Sequence, residues 1–199
     1  MKRFGLIAMV AGLLWAGHAD AQLIPGETVP PYGTVMAVTD TKVTLIQEDG
    51  VIKVVDLLPN RTVEILERGT VDQIPIGSFV RTENNTRPDG SGTVVAISVF
   101  SPTTHRFNQN DPMSPEGAAF WTDGEVTKVV KAGDGVRLTV DYGAGTRQLF
   151  VPPTALIRVF TEASRDLVRP GLKITIILYP DKGPPTQEGI LIAKTDLPK

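Results

Sequence analysis

The sequence predicts an all-β protein built from two similar barrel-like halves. Short runs rich in Val, Ile and Thr alternate with turns containing Gly, Asp and Pro, a pattern typical of antiparallel strands. A glycine-led strand at residues 33–38 has a counterpart at residues 124–129, and Gly77 has a counterpart in Gly171 before a later strand. Because the two glycine pairs have nearly equal spacings, an internal duplication is the simplest interpretation.

The first 21 residues have the order of a cleavable secretory signal peptide. Two basic residues precede an apolar run at residues 4–15, and Ala19 and Ala21 frame a cleavage site before Gln22. A membrane-spanning helix needs about 20 apolar residues. Since this run is shorter, cleavage is favoured over a retained anchor. We therefore expect an exported protein, periplasmic or secreted, without a membrane span after cleavage.

Composition excludes several classes of function. The chain has no cysteine, which rules out disulfides, thiolate metal ligands, cysteine nucleophiles and a lipidated cysteine anchor. Its 20 Lys and Arg residues and 22 Asp and Glu residues give a formal net charge of −2. Nucleic-acid binding needs a basic surface, so nucleic acid is not an expected partner. Aromatic residues make up 6% of the chain, too few for a long stacking platform.

The predicted organisation has four parts after the signal peptide at residues 1–21. Residues 22–32 are rich in proline and predict an extended arm. A first barrel at residues 33–100 and a second at residues 122–199 are joined by a connector at residues 101–121. Strands are predicted at residues 34–38, 42–47, 51–57, 62–66, 78–81 and 93–100 in the first half, and at residues 124–129, 136–141, 146–151, 155–160, after Gly171 and at 189–193 in the second.

Alternation of apolar and polar residues indicates which strand faces are buried. In the second strand of each half, Val43 and Leu45, and likewise Leu138 and Val140, fall on the apolar face and are predicted core residues. Helix is nearly absent. Only residues 162–168 and 114–119 have the composition of one or two helical turns.

These elements resemble a family of exported bacterial domains of unknown function with an OB-like (oligonucleotide/oligosaccharide-binding-like) β-barrel. The shared features are the glycine-led strands, a strand pair with a glycine turn at Gly50 and at residues 143–145, and an Asp-Leu pair shortly before a glycine at residues 166–171. The resemblance implies two tandem OB-like barrels of five to six strands each, together with export. It supplies no catalytic residue.

Catalytic and metal-binding residues are not predicted. Serine hydrolases need a base that is nearly always histidine, and His105 is the one histidine after cleavage, which is also too few for zinc or copper. Asn108, Asn110 and Asp111 offer oxygens to a hard cation, yet their order lacks the spacing of a calcium loop, so a turn is the favoured interpretation.

Four residues in and beside the connector are candidate binding residues. His105 and Arg106 could bind an anion or hold the connector against a barrel, although a solvated or structural histidine is the plainer interpretation. Phe120 and Trp121 could line a ligand groove between the halves, although large aromatic residues at such a junction more often pack between domains.

The favoured function is therefore a non-enzymatic binding or structural module of the bacterial envelope that recognises a partner protein or a glycan. No cofactor is expected, and the oligomeric state is left open. One alternative is a hydrolase of cell-envelope polymers that uses two carboxylates. The other is an envelope protein that binds a hard cation. The carboxylates available to a hydrolase are Glu64, Glu67, Asp72, Glu125, Asp141 and Glu162.

Overall fold

The chain is almost entirely β-structure. A computed structural model describes residues 32–57, 62–100, 108–113, 117–179 and 186–196; the predicted signal peptide and the predicted arm up to residue 31 lie outside this part. Thirteen strands and three short 3-10 turns (Val71–Gln73, Arg165–Leu167 and Lys194–Asp196) occur within it. The prediction of an all-β fold is confirmed. The helical turn predicted near residues 162–168 is the second 3-10 turn. Of the turn predicted at residues 114–119, residues 114–116 lie outside the described part, and Ala119 already begins a strand.

Six strands precede the connector, one lies inside it, one begins near its end and five more strands follow. The first six are β1 (Tyr32–Val38), β2 (Lys42–Ile46), β3 (Ile52–Asp56), β4 (Thr62–Arg68), β5 (Phe79–Thr86) and β6 (Gly92–Phe100). The others are β7 (Gln109–Pro112), β8 (Ala119–Ala132), β9 (Gly135–Asp141), β10 (Thr146–Val151), β11 (Leu156–Ala163), β12 (Lys173–Tyr179) and β13 (Thr186–Ala193).

Five strands form a closed barrel. Strands β8, β9 and β10 make an antiparallel meander, and β5 pairs antiparallel with both β8 and β6. Closure comes from a short parallel pairing of β10 with β6, in which Leu149 lies opposite Gly92 and Phe150 opposite Thr93. We call these five strands the closed barrel. Strand β7 adds to the free side of β8 at the end where β8 begins.

Five of the other strands pair in the order β13-β12-β1-β2-β3, which we call the open sheet. Among the described residues no pairing joins β3 to β13, so this sheet is not closed. Strands β4 and β11 pair antiparallel with each other and link the two assemblies. Strand β4 runs parallel to β13, and β11 runs parallel to β6.

The closed barrel does not follow the predicted division at the connector. Its strands β5 and β6 come from residues before the connector, and β8 to β10 come mostly from residues after it. This differs from the expectation of one barrel within residues 33–100 and another within 122–199. Alternation of apolar residues identifies a strand and its buried face, but the same pattern is satisfied by any partner strand of suitable register. The pattern therefore does not show which strands of one half pair with strands of the other.

Matching backbone contacts occur in both assemblies. Gly33 lies opposite Ile174 in the open sheet, and Gly124 lies opposite Val80 in the closed barrel. The register of β1 against β2 shifts after Val35, as does that of β8 against β9 after Val126.

The hydrogen bonds that precede β5 and β12 also match. The Gly77 N–H donates to the Val126 carbonyl oxygen at 2.8 Å, and the Gly171 N–H donates to the Val35 carbonyl oxygen at 2.8 Å. The glycines that mark the sequence pattern therefore lie at corresponding points of two strand pairings, β5 with β8 and β12 with β1. Each pairing joins strands from either side of the connector.

Each assembly has its own apolar core. The core of the closed barrel includes Leu138 and Val140, and that of the open sheet includes Val43 and Leu45. All four are fully buried, so their prediction as core residues is confirmed. A third cluster contains Phe79, Phe100, Phe160 and Leu191, with the rings of Phe100 and Phe160 stacked at 4.6 Å between centroids. It lies along β4, β11 and their neighbours, where the two assemblies meet.

Candidate functional site: the polar end of the closed barrel

The interior of the closed barrel is apolar at one end and polar at the other. Along β5 the buried positions change from Val80 to Thr82 and Asn84, and along β10 they change from Leu149 to Arg147. Residues two apart in a strand point to the same side, so these polar side chains occupy the same face as the core residues before them. We call this region the polar end.

Hydrogen bonds connect the buried side chains at the polar end. The Asn84 Nδ2 group donates to the Thr82 Oγ1 at 3.1 Å, the Thr122 Oγ1 at 3.0 Å and the Phe120 carbonyl oxygen at 3.1 Å. The Thr122 hydroxyl donates to the Asn110 Oδ1 at 2.8 Å. Strand β7, which supplies Asn110, thus covers the polar end and joins the side-chain network of β5 and β8.

One acceptor in this network is unused. The Asn84 Oδ1 atom is buried, and no hydrogen-bond partner for it exists in the described part of the chain. It lies against β6, since a Cβ atom built on Gly92 would be 2.4 Å from it. An unpaired buried acceptor costs about 1–3 kcal/mol, so a fully satisfied or apolar interior would be more stable.

Arg147 is the cation of the polar end. Only 9% of this residue is exposed, and its guanidinium carbon lies 4.2 Å from the centroid of the Phe120 ring. Its hydrogen bonds are long and go to neutral oxygens: Nη1 to the Asn110 Oδ1 at 3.5 Å and Nη2 to the Thr86 Oγ1 at 3.3 Å. The Nε atom is buried and has no partner among the residues that the structure describes.

The charge of Arg147 is not balanced by a described carboxylate. Within the described ranges, no Asp or Glu oxygen lies within 4.0 Å of its guanidinium. Burial lowers the pKa of the Arg147 guanidinium, an effect that the nearby Tyr142 phenol opposes. Because a guanidinium stays protonated in proteins, the group remains a buried cation with several N–H donors available to an acceptor.

The buried carboxylate of Asp123, also in β8, forms an ion pair with a different arginine. Asp123 is fully buried, and its Oδ2 atom accepts a hydrogen bond from the Arg81 Nε at 2.8 Å. Asp123 follows Thr122 in β8, so its side chain points to the opposite face from the polar end. Asp123 therefore pairs with Arg81 on one face of the sheet, whereas Arg147 lies on the other face.

A second polar surface lies on the outside of the same barrel. Lys128, Lys131 and Arg137 border a shallow depression of about 460 Å³ on β8, β9 and β10. Beside it the Gln148 Nε2 donates to the Thr139 Oγ1 at 2.8 Å. These side chains are solvated and keep their charges at little cost, so the depression is a weaker candidate site than the polar end.

The structure describes two of the four candidate binding residues that the sequence predicts. His105 and Arg106 lie outside the described residues. Phe120 lies at the polar end, where it supports the Arg147 guanidinium. Trp121 is its neighbour in β8 and lies opposite Glu83 and Asp111 on the adjoining strands. Both aromatic side chains are half-buried within the sheet that forms the closed barrel.

Arg147 itself was missed by sequence reasoning, although a signal for it existed. In the predicted strand at residues 146–151, Arg147 shares its face with Leu149 and Val151, which both belong to the core. An arginine on the apolar face of an alternating strand is unusual. Asn84 carries a similar signal, because it falls on the face of Val80.

The carboxylates considered for a hydrolase include one cross-strand pair. Glu64 in β4 lies opposite Glu162 in β11. Glu64 is buried, with 1% of the residue exposed, and Glu162 is exposed. The pair lies where the two assemblies join and not at the polar end.

Searches for a metal site and for a membrane span were negative within the described residues. No group of three or more His, Cys, Asp or Glu side chains has the arrangement of a metal site there. In the same ranges no helix has the length and apolar character needed to cross a bilayer.

Comparison with known proteins gives no relative. No family model matches the chain, and neither a curated protein nor a solved structure matches it.

Proposed function

We propose that this chain is an exported, non-enzymatic module of the bacterial envelope that recognises a partner protein or a glycan at the polar end of its closed barrel. The observation that carries the proposal is the buried polar network of Thr82, Asn84, Thr122 and Arg147, which replaces core residues on the inner face. Such networks cost stability unless every group is satisfied, and here Asn84 Oδ1 and Arg147 Nε are not satisfied within the described chain. Incompletely used polar groups are suited to a ligand.

The open sheet supports this proposal because it has the same backbone contacts with an apolar interior. Gly124 opposite Val80 corresponds to Gly33 opposite Ile174, so Thr82, two residues further on, corresponds to Ile176. Both residues are fully buried. The pairing of β12 with β1 therefore accommodates an isoleucine at the position where the pairing of β5 with β8 has a threonine. Folding alone does not require the polar network.

The finer fold that we propose is a pair of OB-like barrels, related by duplication, that exchange their last two strands. In a Greek key the fourth strand returns beside the first of three consecutive antiparallel strands. Strand β5 lies beside β8 in this way, and β6 then pairs with β10. The matching contacts of Gly77 and Gly171 support the duplication. OB-type barrels bind ligands through one strand face and its adjoining loops.

Export, to the periplasm or beyond, rests on the basic, apolar and small-residue order of the first 21 residues. Expression of the whole chain in a bacterial host followed by cell fractionation tests it. The protein recovered outside the inner membrane should begin at Gln22. A full-length product in the cytoplasm would contradict export without bearing on the barrel.

Binding is tested with the purified mature protein on an array of envelope glycans and in pull-downs from envelope extract. The structure suggests the variant Asn84→Leu, which removes the centre of the network and keeps a similar volume. The control Lys131→Ala alters the outer depression instead. We expect Asn84→Leu to weaken the captured interaction at least tenfold, with Lys131→Ala unchanged.

Two results would oppose the proposal. Loss of binding in Lys131→Ala alone would place recognition on the outer face of the barrel. Failure of the wild-type protein to retain any glycan or envelope protein would remove the binding function altogether. Thermal unfolding of each variant distinguishes a loss of binding from a loss of folding.

A further inference from the structure

We infer that the polar end binds a carboxylate carried by an acidic sugar residue of an envelope polysaccharide, and that Arg147 is the residue that pairs with it. This inference rests on the proposed function, since it assigns a ligand chemistry to the same site. It starts from the guanidinium, which is nine-tenths buried yet makes only two long hydrogen bonds to neutral oxygens in the described structure.

A buried cation without an anion is costly, because the protein interior screens charge poorly and replaces hydration incompletely. Phe120 offsets part of this cost through its ring face, which attracts a cation at 4.2 Å. The Asn110 and Thr86 oxygens offset another part. None of these described groups carries a negative charge, so an anionic ligand would gain an attraction that they do not supply.

The planar guanidinium selects the geometry of the ligand. Arginine presents N–H donors in a fork that fits a carboxylate through two parallel hydrogen bonds. Nε has no partner in the described part of the chain, and Nη2 has one long bond, so one edge of the fork is available. One guanidinium balances one negative charge, which favours a carboxylate over a doubly charged phosphate.

The site is close to solvent despite its burial. Thr86, whose Oγ1 accepts from the Arg147 Nη2, is itself exposed at the end of β5. Asn110 is partly exposed in β7, which forms the edge of the polar end. The guanidinium thus lies beside the exposed rim, which is the side from which a ligand group would approach.

The neighbours of Arg147 favour a sugar over an acidic peptide. The groups that contact its guanidinium are the Thr86 hydroxyl and the Asn110 amide, both at least partly exposed, and groups of this kind suit the hydroxyls of a saccharide. Arg147 is the one cation in this hydrogen-bond network as described. An acidic peptide with several carboxylates would require more cations around the rim.

The test measures binding of oligogalacturonic acid to the mature protein by isothermal titration calorimetry. The matched probe is the same oligosaccharide with its carboxylates reduced to alcohols, and a poly-glutamate peptide is the third probe. We expect the acidic sugar to bind at least tenfold more tightly than either. Binding should weaken as salt is raised, because the contact is between charges.

Two arginine variants separate the site from general surface charge. Arg147→Met keeps an unbranched apolar stem and should weaken binding of the acidic sugar at least tenfold. Arg137→Gln, on the outer depression, should leave it unchanged. The melting temperature of Arg147→Met should be equal to or above that of the wild type, because removing an unbalanced buried charge removes its cost.

Results that would overturn this inference differ from those that would overturn the proposed function. Equal binding of the reduced sugar, retention of binding in Arg147→Met, or preference for poly-glutamate would overturn this inference while leaving a binding function in place. Absence of any glycan or protein ligand for the wild type would instead defeat the proposed function.

Discussion

Gly124 packs so closely against Asp141 that a Cβ atom on the glycine would lie 2.1 Å from the Asp141 carbonyl oxygen. That oxygen belongs to the backbone of β9 and cannot rotate away. Gly33 has the same relationship in the open sheet, where its Cβ would lie 2.4 Å from the Ile46 carbonyl oxygen. The two glycines that begin the sequence pattern are therefore required by the close approach of neighbouring strands.

Gly124→Ala and Gly33→Ala should each lower the free energy of unfolding by about 2 kcal/mol or more, because the added methyl group forces two strands apart. Urea denaturation followed by circular dichroism measures this loss. Gly189→Ala is the matched control, since its Cβ would lie 3.3 Å from the Thr62 carbonyl oxygen. Equal losses for all three glycines would contradict the steric explanation.

Neither half of the chain should fold alone. Strands β5 and β6 pair with β8 and β10, and β12 pairs with β1, so each fragment lacks partners for its strands. Fragments of residues 22–100 and 101–199 should give circular dichroism spectra of unfolded chains when separate. Mixed in equal amounts, they should recover the strand signal of the intact protein. A folded, monomeric fragment would show that strand pairing between the two fragments is not needed for folding.

Sequence reasoning could predict the strands and their buried faces because both follow from local patterns. Val43 and Leu138 were predictable core residues, since alternation with polar neighbours sets their side of the strand. The pairing of Gly124 with Val80 was not predictable, because an alternating strand fits several partners equally well. That pairing joins residues from either side of the connector.

The candidate site was only partly predictable for the same reason. Phe120 could be singled out as an aromatic residue near the connector. Its partner Arg147 comes from β10, and the two residues meet only after the barrel closes. The anomaly of Arg147 on an apolar face was readable, but its neighbours Thr86 and Asn110 come from β5 and β7, whose pairing with β8 is a property of the tertiary fold.

Ser91→Ala should raise the pKa of Asp89 towards its ordinary value. The Ser91 hydroxyl and N–H donate to the Asp89 Oδ1 at 2.5 and 3.0 Å, and these bonds lower the pKa of that carboxyl. A lowered pKa stabilises the fold above the unfolded value of about 3.9, and this contribution is lost as the pH falls through the folded value. NMR titration of the Asp89 carboxyl carbon measures the change. An identical titration curve in the variant would show that the hydroxyl bond has no part in the shift.

Val140→Asp should unfold the closed barrel and the open sheet together. Val140 is fully buried, and an unpaired carboxylate in its place costs several kcal/mol against a total stability of about 5–15 kcal/mol. Because β4 pairs with both β11 and β13, loss of one assembly exposes strands of the other. Val130→Asp is the control, since Val130 is 45% exposed on an adjacent strand and should change stability by about 0.5 kcal/mol or less.

Two probes test whether the assemblies unfold together after Val140→Asp. In residues 22–199 Trp121 is the one tryptophan, so the fluorescence of a protein of these residues reports on β8 of the closed barrel. Far-ultraviolet circular dichroism reports on all strands. We expect both signals to follow a single transition with one midpoint in the wild type and to be lost together in Val140→Asp. If fluorescence were lost while about half of the strand signal survived, the open sheet would be an independent folding unit, and the pairing of β4 with β11 would not couple the two assemblies.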